Sequence, residues 1–266
     1  MNLAMGKNYA FDNLQSKQCY DIAIASGIGQ RESQQDAAYV AATDDDVLGV
    51  VCDGMGGIAG GQLASNTAIE AFVEYYQFYA QQGCTPFEWM QYAAQAVDDI
   101  VYALADGDGK RIGAGTTLLS AVIHGEQLHW VSVGDSRLYI FRGTESVQVT
   151  NDHNYFYQLN QQKIAGTITS EKYHSEAHNG EALISFIGMG GLTLIDINED
   201  AFQMIPGDVI LLCTDGFYRT VTEEEMGIIL GECEHMQEAA EYFEKLIEHR
   251  AVAYQDNYTY ILIKKQ

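Results

Sequence analysis

The 266-residue sequence predicts an α+β fold, a four-layer α/β/β/α sandwich with two central antiparallel β-sheets flanked by helices. Three observations predict it. Short apolar or alternating runs follow one another too closely for helical crossovers, which favours antiparallel meanders over βαβ units. Paired helical stretches are inserted among those runs. A hydrophobic content of 47% supplies a large core, and two prolines with no Pro- or Ser-rich stretch leave no linker. A single domain spanning 1–266 is therefore expected, with its core at about 20–264.

In chain order, residues 20–26 alternate and read as a strand, followed by a turn at Gly27-Ile28-Gly29. Residues 37–42 and 47–52 read as two further strands, joined by an acidic turn. From 60 to 82 the period changes. Leu63, Thr67, Ile69, Phe72, Tyr76 and Tyr79 recur at helical intervals until Gly83 stops the run. Pro86 and Phe87 open a second helix to about Leu104. The following Asp106-Gly107-Asp108-Gly109 is read as a turn, because the chelating spacing and terminal Glu of a calcium loop are missing. Strands resume at 116–123, 128–133, 138–141 and 147–149, and a short helix follows at 155–161. Residues 163–180 are polar and weakly periodic, and read as a lid or flap. Strands at 192–197, 201–205 and 209–213, helices at 222–230 and 236–249, and a last strand at 258–264 complete the chain.

Charge excludes some functions. Fourteen basic residues face 37 acidic ones, a net charge of −23. No basic stripe exists to neutralise nucleic-acid phosphates, and an anionic membrane surface is disfavoured for the same reason. An acidic protein that handles an anionic substrate needs local positive charge, most simply from bound metal. The five cysteines are scattered without a C-x-x-C, as expected in a reducing compartment. The first 14 residues lack a basic-then-apolar leader pattern, and no apolar run approaches membrane-spanning length. A cytoplasmic protein, with nothing that demands more than a monomer, is expected.

The chemistry concentrates where strands end. The run Val47-Leu48-Gly49-Val50-Val51-Cys52 stops on Asp53, followed by Gly54-Met55-Gly56-Gly57. A carboxylate at the end of a buried strand is expensive unless a cation meets it, and glycines let a ligand approach the backbone. Oxygen ligands of this kind suit a hard metal ion. One Asp-Gly after a strand is ordinarily a turn. Here the pattern recurs at Gly134-Asp135-Ser136-Arg137, at Thr214-Asp215-Gly216, and at Asp256-Asn257 before the run 258–263.

Together with Arg31 and Asp36, with Gly115-Thr116-Thr117 and with the 150–153 segment, this order and spacing resembles the metal-dependent protein serine/threonine phosphatases, the PPM or type 2C family. The likeness runs from Tyr20 to Ile263. It implies hydrolysis of phosphoserine and phosphothreonine in proteins by direct attack of metal-activated water, with two or three Mn²⁺ or Mg²⁺ ions per chain. By position, Asp53 would bridge two metals, with the Gly54 carbonyl on one and Asp215 and Asp256 on the other. Asp135 with Asp215 would hold a third. Arg31 would clamp the phosphate, and Asp36 would orient the attacking water. The partners implied are a phosphoprotein substrate and an opposing bacterial Ser/Thr kinase. Two metals roughly 3.5–4 Å apart suit a phosphate monoester, because they both neutralise it and supply a nucleophile near neutral pH. The planar fork of Arg31 matches phosphate oxygens.

The sequence departs from the family pattern in three places. Gln34-Gln35 precede Asp36 where the family usually has Asn then Glu or Gln. Met55 replaces a histidine of eukaryotic members, which is the usual bacterial form. Phe186 stands where the family often has arginine, leaving the lid less basic. A catalytically weak regulatory protein on the same fold is the competing reading, separable by metal content. A two-metal nuclease is disfavoured by charge, and an aspartyl-phosphate phosphatase would want an acid where Met55 stands. His174 and His178 are expected on an exposed lid face, and His153 in a structural hydrogen bond. Arg137 is expected to pair with Asp135 or another cleft acid.

Overall fold

The computed structural model describes residues 3–4, 19–43, 46–80 and 82–266. Its elements are β1 (Leu3–Ala4), β2 (Tyr20–Gly27), β3 (Ala37–Ala42), β4 (Asp46–Cys52), β5 (Gly54–Met55), α1 (Gly57–Ala80), α2 (Pro86–Tyr102), β6 (Gly115–Thr116), β7 (Leu118–His124), β8 (Gln127–Val133), β9 (Arg137–Arg142) and β10 (Glu145–Gln148). There follow α3 (Tyr155–Ile164), α4 (Ser170–Glu176), β11 (Asp196–Ile197), β12 (Phe202–Gln203), β13 (Val209–Cys213), α5 (Asp215–Tyr218), α6 (Glu223–Glu232), α7 (Met236–Arg250) and β14 (Tyr258–Lys265).

Among the described residues one sheet runs β1-β3-β4-β7-β8-β11, with β12 also on β8, and the other runs β10-β9-β13-β14-β2. All these pairings are antiparallel. Side-chain alternation then builds three apolar layers. Val47, Val51, Leu119 and Ala121 of the first sheet meet Leu138, Ile140, Ile210, Leu212, Ile261 and Ile263 of the second. On the outer face of the first sheet, Leu48, Val50 and Leu118 pack under Phe72, Trp89, Met90 and Val97 of α1 and α2. On the outer face of the second, Leu211, Tyr260 and Leu262 pack under Phe217, Met226 and Phe243. The four-layer α/β/β/α sandwich is the one the sequence predicts.

Helix starts follow local chemistry. The Glu88 carboxylate accepts from the Thr85 amide and hydroxyl, with Pro86 at the first helical position of α2. Thr222 and Glu225 close the same kind of box at α6.

The structure differs from the sequence reading in detail. The expected strand 116–123 is two pieces: β6 leaves the sheet to pair with β5 beside Asp53, and β7 stays in it. The strands expected at 192–197 and 201–205 shrink to two residues each, because only Asp196–Ile197 and Phe202–Gln203 reach β8. The lid holds a helix, α4, capped by the Thr169 hydroxyl and continued by a 3₁₀ turn at Ala177–Asn179. The Asp106 carboxylate accepts from the Asp108 and Lys110 amides, so that loop is the turn expected. Most of the stretch read for a leader lies outside the described residues. Among the described residues no helix is long and apolar enough to cross a membrane.

Candidate metal-dependent active site

The strand-end aspartates meet at one end of the sandwich. A cleft of about 490 Å³ is lined by residues that include Arg31, Asp53, Gly54, Asp135, Asp215 and Asp256. Each acid arrives from a different element. Asp53 ends β4, Asp135 sits where the chain crosses from β8 to β9, Asp215 opens α5 after β13, and Asp256 precedes β14. The acids therefore hang from both sheets.

Threonines fix this backbone. The Asp53 amide donates to Thr117 Oγ1 at 2.8 Å, while the Thr116 hydroxyl and Thr117 amide donate to the Asp53 carbonyl, each at 2.9 Å. Across the cleft, a Cβ on Gly216 would lie 2.0 Å from the Asn257 carbonyl oxygen. Only glycine permits that approach, which sets Asp215 beside Asp256. The Gly134 carbonyl accepts from the His153 amide at 2.9 Å, and His153 Nδ1 accepts from the Gly134 amide at 3.2 Å. Burial lowers the His153 pKa, so its imidazole is a neutral structural brace behind Asp135, as expected.

Asp36 does not line the cleft. It is buried beneath it, with Oδ2 accepting from the Thr214 hydroxyl at 2.8 Å and Oδ1 left without a partner. Burial pushes its carboxyl up to about 7, helped by Asp215 and Asp256 and opposed by hydrogen bonds from Thr214 and Thr259. Burial and four neighbouring carboxylates push Asp53 well above the usual range. Asp135 rises to about 7 through burial and the charges of Asp215 and Asp152. Asp215 is raised by burial against the pull of Arg219, and its Oδ1 is likewise unpartnered.

Several carboxyls held at high pKa by burial and, less strongly, by one another, with two orphaned buried oxygens, form a site that wants cations. Among the described residues no three His, Cys, Asp or Glu side chains are already drawn together as a closed metal cage. The donor set is nonetheless all oxygen, and a hard cation such as Mg²⁺ takes one or two carboxylates and completes its shell with water and phosphate oxygens. The residues fit such ions.

Arg31 Nη2 donates to Asp256 Oδ2 at 2.5 Å. The Gln35 side chain donates to the Gly57 carbonyl at 2.8 Å. Arg137 does not pair with Asp135. It forms a two-pronged ion pair with Asp152, at 2.9 and 2.7 Å, and stacks on Tyr218, which places its charge behind the cleft. His174 and His178 are exposed and bond to backbone carbonyls of their own helical turns. The sequence reading missed Glu181, Leu183 and Arg219 in the cleft wall. Arg219 carried a signal, since it stands four residues after Asp215 at a helix start. Glu181 and Leu183 carried none.

The family model of protein phosphatase 2C matches residues 25–255. The serine/threonine phosphatase Stp of Listeria innocua is 29% identical over 224 residues, which cover 84% of this chain and 86% of that protein. The crystal structure of the Mycobacterium tuberculosis serine/threonine phosphatase PstP superposes with a TM-score of 0.73 at 26% identity, covering 92% of this chain and 98% of that one. The catalytic domain of PstP in complex with two manganese ions superposes with a TM-score of 0.72 at 27% identity, over 93% and 98%. With the strand-end acids assembled in one cleft and the family model spanning most of its length, the chain belongs to the protein phosphatase 2C family and is a protein serine/threonine phosphatase.

Proposed function

We propose that the chain removes phosphate from phosphoserine and phosphothreonine in proteins by direct attack of water, within a single domain whose flap is formed by residues 163–180. It acts in the cytoplasm as a monomer opposite a bacterial Ser/Thr kinase, with Mn²⁺ or Mg²⁺ as cofactor. Asp53, the Gly54 carbonyl, Asp215 and Asp256 would hold two ions, and Asp135 with Asp215 would hold a third. When bound, such cations supply positive charge to phosphoryl oxygens and make water acidic enough to attack near neutral pH.

The chain's own residues supply the rest. Arg31 is half-exposed at the rim, with a guanidinium that exchanges Asp256 for two phosphate oxygens. Asp36 is assigned to orient the attacking water from beneath the cleft, where Thr214 holds one of its oxygens and the other is buried without a partner. Thr117 is the sole hydroxyl among the described cleft-lining residues, and it is engaged by the Asp53 amide and Ser136. No hydroxyl or thiol among the described cleft-lining residues is free to compete with water, and Met55 stands where an aspartyl-phosphate phosphatase would want its second acid, so no phosphoenzyme is expected.

The observation that carries this reading is the convergence of four strand-end carboxylates from both sheets beside Arg31. The test is hydrolysis of p-nitrophenyl phosphate and a phosphothreonine peptide with and without Mn²⁺, alongside Asp53→Ala. Metal-dependent turnover absent from the variant is expected. A chain that binds no Mn²⁺ and turns over neither substrate would instead be a regulatory protein on this fold.

A further inference from the structure

Two basic residues line the cleft among the described residues, and the proposed mechanism uses only Arg31. The second is Arg219, at the C-terminal cap of α5. Its Nε lies 3.0 Å from Asp215 Oδ2, and its Nη2 lies 2.6 Å from Glu181 Oε2. Glu181 follows the 3₁₀ turn Ala177–Asn179, on the flap side of the cleft. The two guanidiniums therefore hold different acids, Arg31 on Asp256 and Arg219 on Asp215.

The Arg219–Glu181 pair is built differently from the chain's sequestered ion pairs. Its side chains are 45% and 61% exposed, against 25% and 18% for Arg137–Asp152. An exposed pair contributes little and is readily exchanged. Arg219 is held on one edge by Asp215, so the edge facing the flap is presented in a fixed orientation, already engaged by a carboxylate. Among the described cleft-lining residues the one other basic side chain is Arg31, which the proposed mechanism commits to the phosphate. The chain carries a net charge of −23, and Phe186 is a half-buried ring covering Gly115. A preference for acidic substrates would have to come from a local cation, because the overall field opposes it.

We propose that Arg219 is a specificity-determining residue that binds a carboxylate flanking the phosphorylated Ser or Thr, taking the place of Glu181 and freeing the start of the 181–191 segment. The substrate class is then an acidic phosphopeptide. This deepens the phosphatase reading and rests on it. Arg31 recognises the phosphate, and Arg219 recognises the neighbouring side chain.

The test compares kcat/KM for two phosphothreonine peptides that differ only in Glu or Gln beside the phosphothreonine, in the Mn²⁺-loaded full chain. The ratio of the two values is the readout, because it is blind to any general loss caused by disturbing Asp215. We expect the unaltered chain to favour the Glu peptide by about tenfold, chiefly through KM. Arg219→Gln should bring the ratio close to one, and Arg219→Lys should restore part of it. Glu181→Gln, an exposed change that leaves Arg219 intact, should raise the ratio because the internal competitor is gone. A ratio unchanged in both Arg219→Gln and Glu181→Gln overturns the proposal, as does an unaltered chain with no preference. Failure of the phosphatase reading has a separate signature, the absence of p-nitrophenyl phosphate turnover with Mn²⁺ in the unaltered chain.

Discussion

Arg31 Nη2 and Asp256 Oδ2 stand 2.5 Å apart, so the proposed phosphate clamp and a proposed metal ligand hold each other across the cleft rim. The side chains are 58% and 36% exposed, so the pair is cheap to break and phosphate can replace the carboxylate. A charge-assisted hydrogen bond is worth about 1.5–3 kcal/mol, or roughly 10–100-fold in binding. Arg31→Ala should therefore raise KM for a phosphothreonine peptide by that factor, with a smaller fall in kcat. Arg31→Lys should recover part of the loss, since it keeps the charge and forfeits the fork. Steady-state kinetics decide it, and an unchanged KM rejects the clamp.

The buried acids make the metal-free protein sensitive to pH in a defined direction. Asp36 and Asp135 are both raised to about 7, so the folded state binds protons that the unfolded chain has released. Stability falls with rising pH wherever the folded state holds more protons. In EDTA the melting temperature should fall as pH rises from about 4, where unfolded aspartates titrate, to about 7, and then level off. Added Mn²⁺ binds the ionised carboxylates, so its stabilising effect should grow across the same window. A melting temperature that rises between pH 5 and 7 in EDTA would contradict the cluster.

Asp135 is the acid proposed to hold the third ion. Asp135→Ala should lower turnover by on the order of tenfold or more while two metal sites per chain remain. Calorimetric titration with Mn²⁺ separates the two effects. Loss of all metal binding would show that the three sites are not separable.

A fourth prediction concerns Asp98, which is buried on α2. Its carboxylate accepts from the amides of Gly188, Gly190 and Gly191, at 2.6, 3.3 and 2.7 Å. That loop pairs Ile187 with Thr116, whose hydroxyl reaches the Asp53 carbonyl. Asp98→Ala leaves three amides without an acceptor and should cost about 3 kcal/mol or more, measured by urea unfolding. Asp98→Asn keeps one acceptor oxygen and should cost less.

The strand-end acids were legible because each is local: an apolar run with Asp beside Gly or Asn at one of its ends. The sheets were legible for the same reason. Asp98 was not, because the amides it binds lie some ninety residues further along and no periodicity marks them. The position of Asp36 was also hidden, since only the fold brings Thr214 against it and sinks it below the cleft. Helix α4 escaped because a surface flap helix lacks the apolar stripe that periodicity detects: none of its residues is buried. Arg137 misled because Asp135, two residues before it, and the other cleft acids were the expected partners, whereas its side chain pairs with Asp152 and stacks on Tyr218.

The layer between the sheets has a role beyond cohesion. Asp53 hangs from one sheet and Asp215 from the other, and Val51, Leu212 and Ile261 fill the space between. That layer acts as a gauge block: its thickness sets how far apart the two acids stand. A methylene added or removed there, as in Val51→Ile or Leu212→Val, shifts the sheets by tenths of an ångström. Such changes should retune metal affinity without touching the cleft, so the apolar core is a route by which this scaffold can adjust its chemistry.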